Sequence, residues 1–197
     1  TPNVEPITYQ ELGGLPDLSV DTPTPFAISP VYLYPVDLGS VNNWDSPNAA
    51  NVDDPQPQSA ADDDTTFIAV TDPTTVSPGT IQLFRPNRIA TPAIPDWTIL
   101  NVVMSIRGRR VSGTNSCEFI ARFKIAGIQY TTTIVLSIAS PSVAYASGSA
   151  TFSTSPATGV AWTLGELRAM EFGCRLRQDG PTGVYRLTQI FLTVNFT

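Results

Sequence analysis

Apolar and polar residues alternate with a period of two along most of the chain after residue 98. Successive side chains of a strand point to opposite faces of a sheet, so this alternation predicts strands that are buried on one face. We therefore expect the even-numbered apolar residues of two segments, 100–106 and 190–196, to be buried. These residues are Leu100, Val102, Met104 and Ile106 in the first segment and Ile190, Leu192, Val194 and Phe196 in the last.

An Ala-Gly pair at residues 126–127 separates two more alternating segments. The apolar residues that share a face are Phe119, Ala121, Phe123 and Ile125 before the pair, and Ile128, Tyr130, Ile134, Leu136 and Ile138 after it. Because glycine adopts the positive φ angles of tight hairpin turns at little cost, the pattern predicts a β-hairpin. Further strands are predicted at 65–70 (TTFIAV) and 143–153 (VAYASGSATFS).

One short helix is predicted near residues 163–172. Thr163 and Glu166 have the spacing of a capping box, in which each side chain accepts a hydrogen bond from the backbone N–H of the other residue. Trp162 and Leu167 are placed to form the hydrophobic staple that accompanies such a cap. We expect Gly173 to end the helix, because glycine is common at helix C-termini.

The number and spacing of these segments indicate an all-β protein. Six to eight strands with one short helix in a connection predict an antiparallel β-sandwich that is jelly-roll-like. Prolines recur every few residues in the first part of the chain, which excludes a helix there and disfavours long strands. We therefore divide the chain into an extended, proline-rich arm (1–40) and a β-sandwich body (41–197) that includes an acidic surface loop (45–64).

The composition excludes several classes of active site. The chain has 197 residues, enough for one domain with a sizeable core, and it contains no histidine. Without histidine, a Ser-His-Asp or Cys-His nucleophile pair and a histidine-ligated zinc or iron site are impossible. No local motif links any two of Glu118, Glu166 and Glu171 into the carboxylate pair of a glycosidase. We expect that the protein is not an enzyme.

Neither a metal nor another cofactor is expected. The acidic cluster consists of Asp53, Asp54, Asp62, Asp63 and Asp64. It lacks the D-x-D-x-D-G spacing of a calcium loop, so a solvated loop explains it better. Cys117 and Cys174 occur in alternating apolar segments, which favours reduced core cysteines over a disulfide. The first ten residues have no signal-peptide pattern, and no apolar run is long enough to span a membrane.

The charges are distributed unevenly between the two halves of the chain. Residues 1–97 contain 13 acids and two bases, a net charge of −11, whereas residues 98–197 carry a net charge of +5. This asymmetry suggests either an acidic arm that lies on a basic body or neighbouring copies that meet acid to base. The total net charge of −6 argues against nucleic acid as the principal partner.

Arginines and aromatic residues are the candidates for a protein interface. Arg107, Arg109 and Arg110 cluster at a strand end, and Arg175 and Arg177 alternate on one face of another strand. They are either solvated strand faces or guanidinium groups that bind carboxylates or carbonyls of a neighbouring chain. The predicted interface consists of Phe26, Tyr32, Tyr34, Arg107, Arg109 and Arg110.

Several short segments resemble the small virion structural proteins of tailed bacteriophages. They are Trp44-Asp45, Asp62-Asp63-Asp64-Thr65-Thr66-Phe67-Ile68, the strand from Ile99 to Arg110, Pro156-Ala157-Thr158-Gly159-Val160-Ala161-Trp162-Thr163 with Glu166-Leu167, and Thr188-Gln189-Ile190. The similarity extends from about Trp44 to Phe196, and its best part is the P-A-T-G-x-A-W-T-x-x-E-L segment. The resemblance implies a β-sandwich of the head surface or tail of a virion, without a defined activity.

Two functions are compatible with this resemblance. The first is a head-decoration or cement protein that binds the major capsid protein, stabilises the phage head and forms homo-oligomers, with a trimer preferred. The second is a tail-fibre or receptor-binding module that recognises host-surface glycans, with Trp44 as the residue available to stack on a sugar. In the first case the protein is made in the host cytoplasm and resides on the capsid surface. Neither nucleic acid nor membrane is expected as a partner.

Overall fold

The computed structural model describes residues 29–45, 67–71, 80–89, 98–113, 117–138, 144–178 and 183–197, with the side chains of 117, 133–138 and 178 outside the description. Within these ranges the chain forms strands β1 (Val31–Leu33), β2 (Pro35–Asn42), β3 (Ile68–Thr71), β4 (Thr80–Pro86), β5 (Ile99–Ser112), β6 (Cys117–Ile125), β7 (Ile128–Ile138) and β8 (Ala146–Phe152). Helix α1 (Leu164–Ala169) and strands β9 (Met170–Gln178) and β10 (Val184–Phe196) follow.

The strands form two antiparallel sheets. Sheet I has the order β1-β10-β5-β8, with β3 also paired to β10, and sheet II has the order β2-β4-β9-β6-β7. All pairings are antiparallel. The predicted all-β sandwich with one short helix is therefore confirmed. Two long central strands, β5 and β10, pair over most of their length and hold sheet I together.

The inner faces of the two sheets meet in one aromatic-rich core. Val102, Met104 and Ile106 of β5 are buried as predicted, and so are the four predicted residues of β10. The four predicted apolar residues of β6 are buried in the same core. Phe123 packs edge-on against Phe152, with ring centroids 4.9 Å apart. Burial of a large apolar side chain contributes about 1.5–3 kcal/mol, so these contacts dominate the stability of the sandwich.

The prediction for Leu100 is wrong, because its side chain is 53% exposed. The pairing between β5 and β10 shifts register there: Asn195 is opposite Asn101, but Phe196 is opposite Ile99. This bulge gives β5 one extra residue and places Ile99, instead of Leu100, in the core. The alternation of buried and more exposed residues then resumes at Val102.

The hairpin between β6 and β7 is confirmed, with its turn at the predicted Ala-Gly pair. Ala126 has a φ of 50° and Gly127 a φ of 85°. Positive φ at both turn residues matches the right-handed twist of the flanking strands. Ile128, expected on the apolar face, is exposed beside this turn. Of the others, Tyr130 packs against the core, whereas the side chains of Ile134, Leu136 and Ile138 lie outside the description.

Helix α1 begins as predicted and ends earlier than predicted. The Thr163 hydroxyl oxygen accepts a hydrogen bond from the Glu166 backbone N–H, and a Glu166 carboxylate oxygen accepts one from the Thr163 backbone N–H. Met170 already has extended backbone angles, so the helix passes directly into β9. Gly173 is consequently a strand residue and not the helix stop. A Cβ atom there would lie 2.0 Å from the Gln82 carbonyl oxygen of β4, so glycine is required for close packing.

Residues 31–40, at the end of the proline-rich segment, belong to β1 and β2 in different sheets. Register shifts in the β2–β4 pairing bring Ser40 to Glu171 of β9. The Ser40 backbone N–H and hydroxyl both donate to the Glu171 carboxylate, at 2.8 and 2.7 Å. The segment thus ties the two sheets to one another and covers part of the outside of sheet II.

The described part of the chain contains a buried free cysteine, Cys174. This agrees with the predicted reduced core cysteine, and burial raises the pKa of its thiol far above the ordinary value. The Cys117 side chain lies outside the described residues. Among those residues, none of the helices has the length and apolar character needed to cross a membrane.

Candidate interaction face

The outer face of sheet I gathers side chains from four strands and from the residues just beyond them. Strand register places Tyr32 beside Thr193, Phe191 beside Ser105, and Arg186 beside Arg109. The face consists of Tyr32, Tyr34, Val103, Ser105, Arg107, Arg109, Ser147, Ser149, Arg186, Gln189, Phe191 and Thr193. None of these side chains is acidic, and three are arginines.

An aromatic cluster occupies the β1 side of this face. The ring centroids of Tyr32 and Tyr34 are 6.3 Å apart in a stacked arrangement, and each lies 6.2 Å from the ring of Phe191. The two tyrosines shield Phe191, which is buried although it points away from the core. Sequence alternation missed Phe191. The available signal was the uninterrupted apolar run Ile190-Phe191-Leu192, which breaks the period of two.

Arginines stack on aromatic rings across the same face. The guanidinium carbons of Arg107 and Arg109 lie 5.5 and 4.7 Å from the centroid of the Tyr145 ring. The guanidinium carbon of Arg186 lies 3.8 Å from the ring of Phe67. Such cation–π contacts contribute about 0.5–2 kcal/mol each and fix the orientation of a long, flexible side chain. The arginines are therefore held in place on the sheet surface.

A shallow trough separates the aromatic cluster from the arginines. Its volume is about 370 Å³, and it is lined by Ser105, Ile106, Ser147, Gly148, Ser149, Gln189 and Phe191. Arg107 Nη1 donates a hydrogen bond of 3.0 Å to the Ser147 hydroxyl at the edge of the trough. The trough thus combines hydroxyl and amide groups with one aromatic ring.

The structure brings four of the six predicted interface residues together. Tyr32, Tyr34, Arg107 and Arg109 all lie on the outer face of sheet I. Arg110 is only 5% exposed, because its side chain points to the opposite side of β5, where its register partner is the buried Tyr185. Phe26 lies outside the described residues.

The tryptophan expected to stack on sugars is not on the surface. Trp44 is buried in the core, with its ring centroid 6.3 Å from that of Phe119. Trp162 is also buried, and its indole N–H donates to the Phe152 carbonyl oxygen at 3.0 Å. Trp97 lies outside the described residues. A glycan platform built on Trp44 is therefore excluded by burial.

The three glutamates considered for a glycosidase pair have separate structural partners. Glu118 forms an ion pair with Arg177, and Glu171 accepts hydrogen bonds from Ser40. Glu166 caps helix α1. Within the described ranges, no three aspartate, glutamate or cysteine side chains lie together in a way that could hold a metal ion. The acidic cluster at Asp53, Asp54 and 62–64 falls outside those ranges.

Residues 156–167, the segment that most resembles the virion structural proteins, have a structural role in this fold. Ser155 donates to Glu166 Oε1 at 2.6 Å, while the Thr163 hydroxyl donates to Glu166 Oε2 at 2.9 Å. Gly159 has a φ of 74° and donates its backbone N–H to the Ser155 carbonyl oxygen. The segment therefore forms a closed loop that leads into a capped helix, with Trp162 anchored in the core.

No protein-family model, curated protein or solved structure matches this chain.

Proposed function

We propose that this chain is a virion structural protein, a capsid decoration or cement protein that binds the major capsid protein through the outer face of sheet I. Its position is the capsid surface, and its task is to stabilise the phage head. The resemblance to small virion structural proteins suggests the class of particle. The arrangement of the outer face suggests the surface that makes the contact.

The observation that carries this proposal is the convergence of Tyr32, Tyr34, Arg107 and Arg109 on one sheet face. Tyrosine and arginine are enriched in the central parts of protein interfaces, where they contribute most of the binding energy. Here the rings of the tyrosines and the stacked guanidinium groups are already ordered in the free chain. Less side-chain entropy is lost on binding when the groups are preorganised in this way.

The rigidity of the underlying sheet supports the same function. β5 and β10 pair along 12 register positions, and β8 extends the sheet on the far side of β5. A broad face on long paired strands suits a lasting contact with a capsid surface. Several copies clustered on the shell, as the sequence suggests, would each present this face to a capsid subunit.

Binding to phage capsids from which this protein has been removed tests the proposal. Tyr32→Ser combined with Arg109→Ser should weaken co-sedimentation by about 30-fold or more, the effect of losing interface residues worth about 2 kcal/mol or more. The control is Arg85→Ser, an exposed arginine on sheet II, which should leave binding within about twofold. Unchanged binding of the double variant, with circular dichroism showing a folded protein, would remove the outer face of sheet I from the contact.

A second candidate function is glycan recognition by a tail module, and the trough on the same face favours it. Ser105, Ser149 and Gln189 present groups that can bind sugar hydroxyls, next to the ring of Phe191. Ser149→Trp would fill the trough, because Ser149 lies on the outer face of sheet I opposite Ser105. Isothermal titration with host-surface polysaccharide should then show binding by the natural chain and none by the variant. If the natural chain releases no binding heat with polysaccharide but binds to capsids, the decoration-protein function is supported instead.

A further inference from the structure

One side of the sandwich is formed by a long stretch of chain that carries no charge. Between Lys124 and Glu166 the sequence contains no aspartate, glutamate, lysine or arginine. This stretch includes β7, the last strand in the order of sheet II, and β8, the last strand in the order of sheet I. The two strands lie close together without pairing in a sheet, so both edges belong to the same side of the molecule.

Strand β8 is an open edge of sheet I. Among the described strands it pairs only with β5, and its register continues from Ala146 to Phe152 without a bulge. Backbone N–H and C=O groups of an edge strand that point away from its neighbour can pair with a further strand. At the end of β8 the Phe152 carbonyl oxygen already accepts a hydrogen bond from the Trp162 indole. Positions 146–151 are therefore those left for a partner strand.

The edges on the opposite side of the sandwich are protected. β1 has only three residues and lies between Pro30 and Pro35. β2 begins with Pro35, carries the exposed Asp37 and has two register shifts in its pairing with β4. Short strands, prolines, charges and bulges are the features by which natural sheets avoid edge-to-edge association. β8 is regular and contains neither a charge nor a proline, so it lacks this protection.

The side chains of β8 allow a second copy of the same strand to approach. Ser147, Ser149 and Thr151 are small, uncharged and exposed. Arg107, which is opposite Ser147, lies on β5, one strand in from the edge. Antiparallel strands from two copies can meet across a two-fold axis, where each surface contacts itself. With Ser149 opposite Ser149 of the second copy, Ser147 faces Thr151, so no like charges oppose each other across the axis.

The area of the uncharged side is sufficient for a stable dimer. β7 has 11 residues, which at about 3.3 Å per residue gives a length of about 36 Å. Two sheets about 10 Å apart, together with the side chains on their outer faces, give a depth of about 20 Å. The resulting area is roughly 700 Å² per copy, close to the value of about 800 Å² per partner in a standard interface.

We infer that β8 is the interface of a homodimer, in which two copies pair their β8 strands in antiparallel orientation and continue sheet I across a two-fold axis. The axis is perpendicular to the sheet, so the two outer faces of sheet I lie side by side on one surface of the dimer. This assembly differs from the trimer that the resemblance to virion structural proteins favours. The pairing does not require a capsid, and the purified chain is sufficient to test it.

Sedimentation equilibrium of the full chain measures this pairing. The mass should rise with concentration to twice the 21.1 kDa of one chain. Ser149→Lys should raise the dissociation constant of the dimer by about tenfold or more, because two like charges then meet at the axis. Ser149→Glu should do the same. An equimolar mixture of the two variants should again form a dimer, because opposite charges then face each other, and a loss of folding cannot produce this restoration.

The matched control is Val36→Lys, which adds the same charge at an exposed position of β2, on the opposite side of the sandwich. It should leave the dissociation constant within about twofold, because charges more than about 8–10 Å apart are largely screened at physiological salt. Circular dichroism verifies that each variant is folded.

Hydrogen exchange provides a second measurement, which needs no variant. The amides of residues 146–151 should exchange more slowly at high than at low protein concentration, whereas those of β1 should not change. A chain that stays monomeric at millimolar concentration, or that assembles only as a trimer, overturns the inference. An unchanged dissociation constant in Ser149→Lys, or a mixture of the two charged variants that remains monomeric, overturns it too.

Discussion

At the scale of single residues, Glu166 shows how one side chain can organise a loop and a helix together. Its carboxylate accepts hydrogen bonds from the Thr163 backbone and hydroxyl, from Ser155, and from Thr158. Partial burial raises its pKa, but these hydrogen bonds outweigh the burial and hold the pKa of Glu166 below its ordinary value. The carboxylate form is therefore the one that stabilises the fold.

We expect Glu166→Gln to destabilise the protein by about 0.5–2 kcal/mol at pH 7, the range for a lost helix cap. A carboxyl with a lowered folded-state pKa stabilises the protein above its unfolded pKa. That contribution is lost as pH falls through the folded pKa. The difference in unfolding free energy between the variant and the natural chain should thus shrink towards low pH. Urea unfolding between pH 3 and pH 7 measures it, and a constant difference would contradict the assigned role.

At the scale of elements, irregularities in the strands decide which residues are buried. The bulge opposite Phe196 turns Ile99 into the core and Leu100 out to solvent. At Gly173 the backbone of β4 comes so close to β9 that no side chain fits between them. Both features depend on a neighbouring strand that is distant in sequence. The local alternation of β5 and β9 therefore does not predict them.

The bulge predicts opposite outcomes for two adjacent alanine substitutions. Ile99→Ala should cost about 2–5 kcal/mol, because it leaves a cavity in the core. Leu100→Ala should change stability by less than about 0.5 kcal/mol, as expected for a surface position. Chemical denaturation of the two variants measures both values. A larger cost for Leu100→Ala would show that β5 keeps strict alternation to its first residue.

Alanine substitutions at two glycines of the segment 163–178 should have opposite effects on the stability of the protein. Gly173→Ala should destabilise by about 3 kcal/mol or more, because the new Cβ meets the Gln82 carbonyl oxygen. Gly165→Ala should stabilise by about 0.5–1 kcal/mol, since it lies in helix α1 and its nearest neighbour would be 3.8 Å away. Differential scanning calorimetry of the pair checks the contrast. Equal changes in stability would mean that β4 can move away from β9 to accommodate the new side chain.

At the scale of the whole molecule, the two sheets have different surfaces. The outer face of sheet I displays stacked arginines and tyrosines, whereas the outer face of sheet II carries ion pairs such as Arg177–Glu118 and Arg85–Asp37. β1 and β2 join the sheets, since the chain passes from one to the other at Tyr34. Tyr34 donates its backbone N–H to Asn87 Oδ1 at 2.8 Å at this crossing.

Two truncations separate the strands of the N-terminal segment that complete the sandwich from the preceding residues 1–28, which include the predicted interface residue Phe26. Removal of residues 1–28 should leave the Tm within about 2–4 °C, corresponding to less than about 1 kcal/mol, because β1 and β2 remain. Removal of residues 1–42 should abolish cooperative unfolding, because it exposes the edges of β10 and β4 and removes buried Leu33.

Phe26, one of the predicted interface residues, lies within residues 1–28, so removal of residues 1–28 should also weaken binding to capsids. Co-sedimentation with stripped capsids at low and high salt measures this loss. Binding of the 29–197 chain as tight as that of the natural chain would contradict an assembly role for the segment.

Several local features of this protein were predictable from its sequence alone. Hairpin turn residues 126–127, the capping box at Thr163 and Glu166, and the alternation of β6 and β10 each depend on neighbours within a few positions. These features were predictable because their energetics are settled by backbone angles, short-range hydrogen bonds and side-chain period. The buried Cys174 followed from the same alternation.

The features that join distant parts of the chain depend on its three-dimensional packing. It placed Tyr32 beside Phe191, turned Arg110 inward, buried Trp44 against Phe119, and set Arg122 beside Arg175. Each of these depends on strand order, register and bulges, which follow from how two sheets pack and not from any local pattern. A register shift of one residue exchanges the two faces of a strand. The side-chain period alone therefore does not predict which arginines are exposed and which are buried.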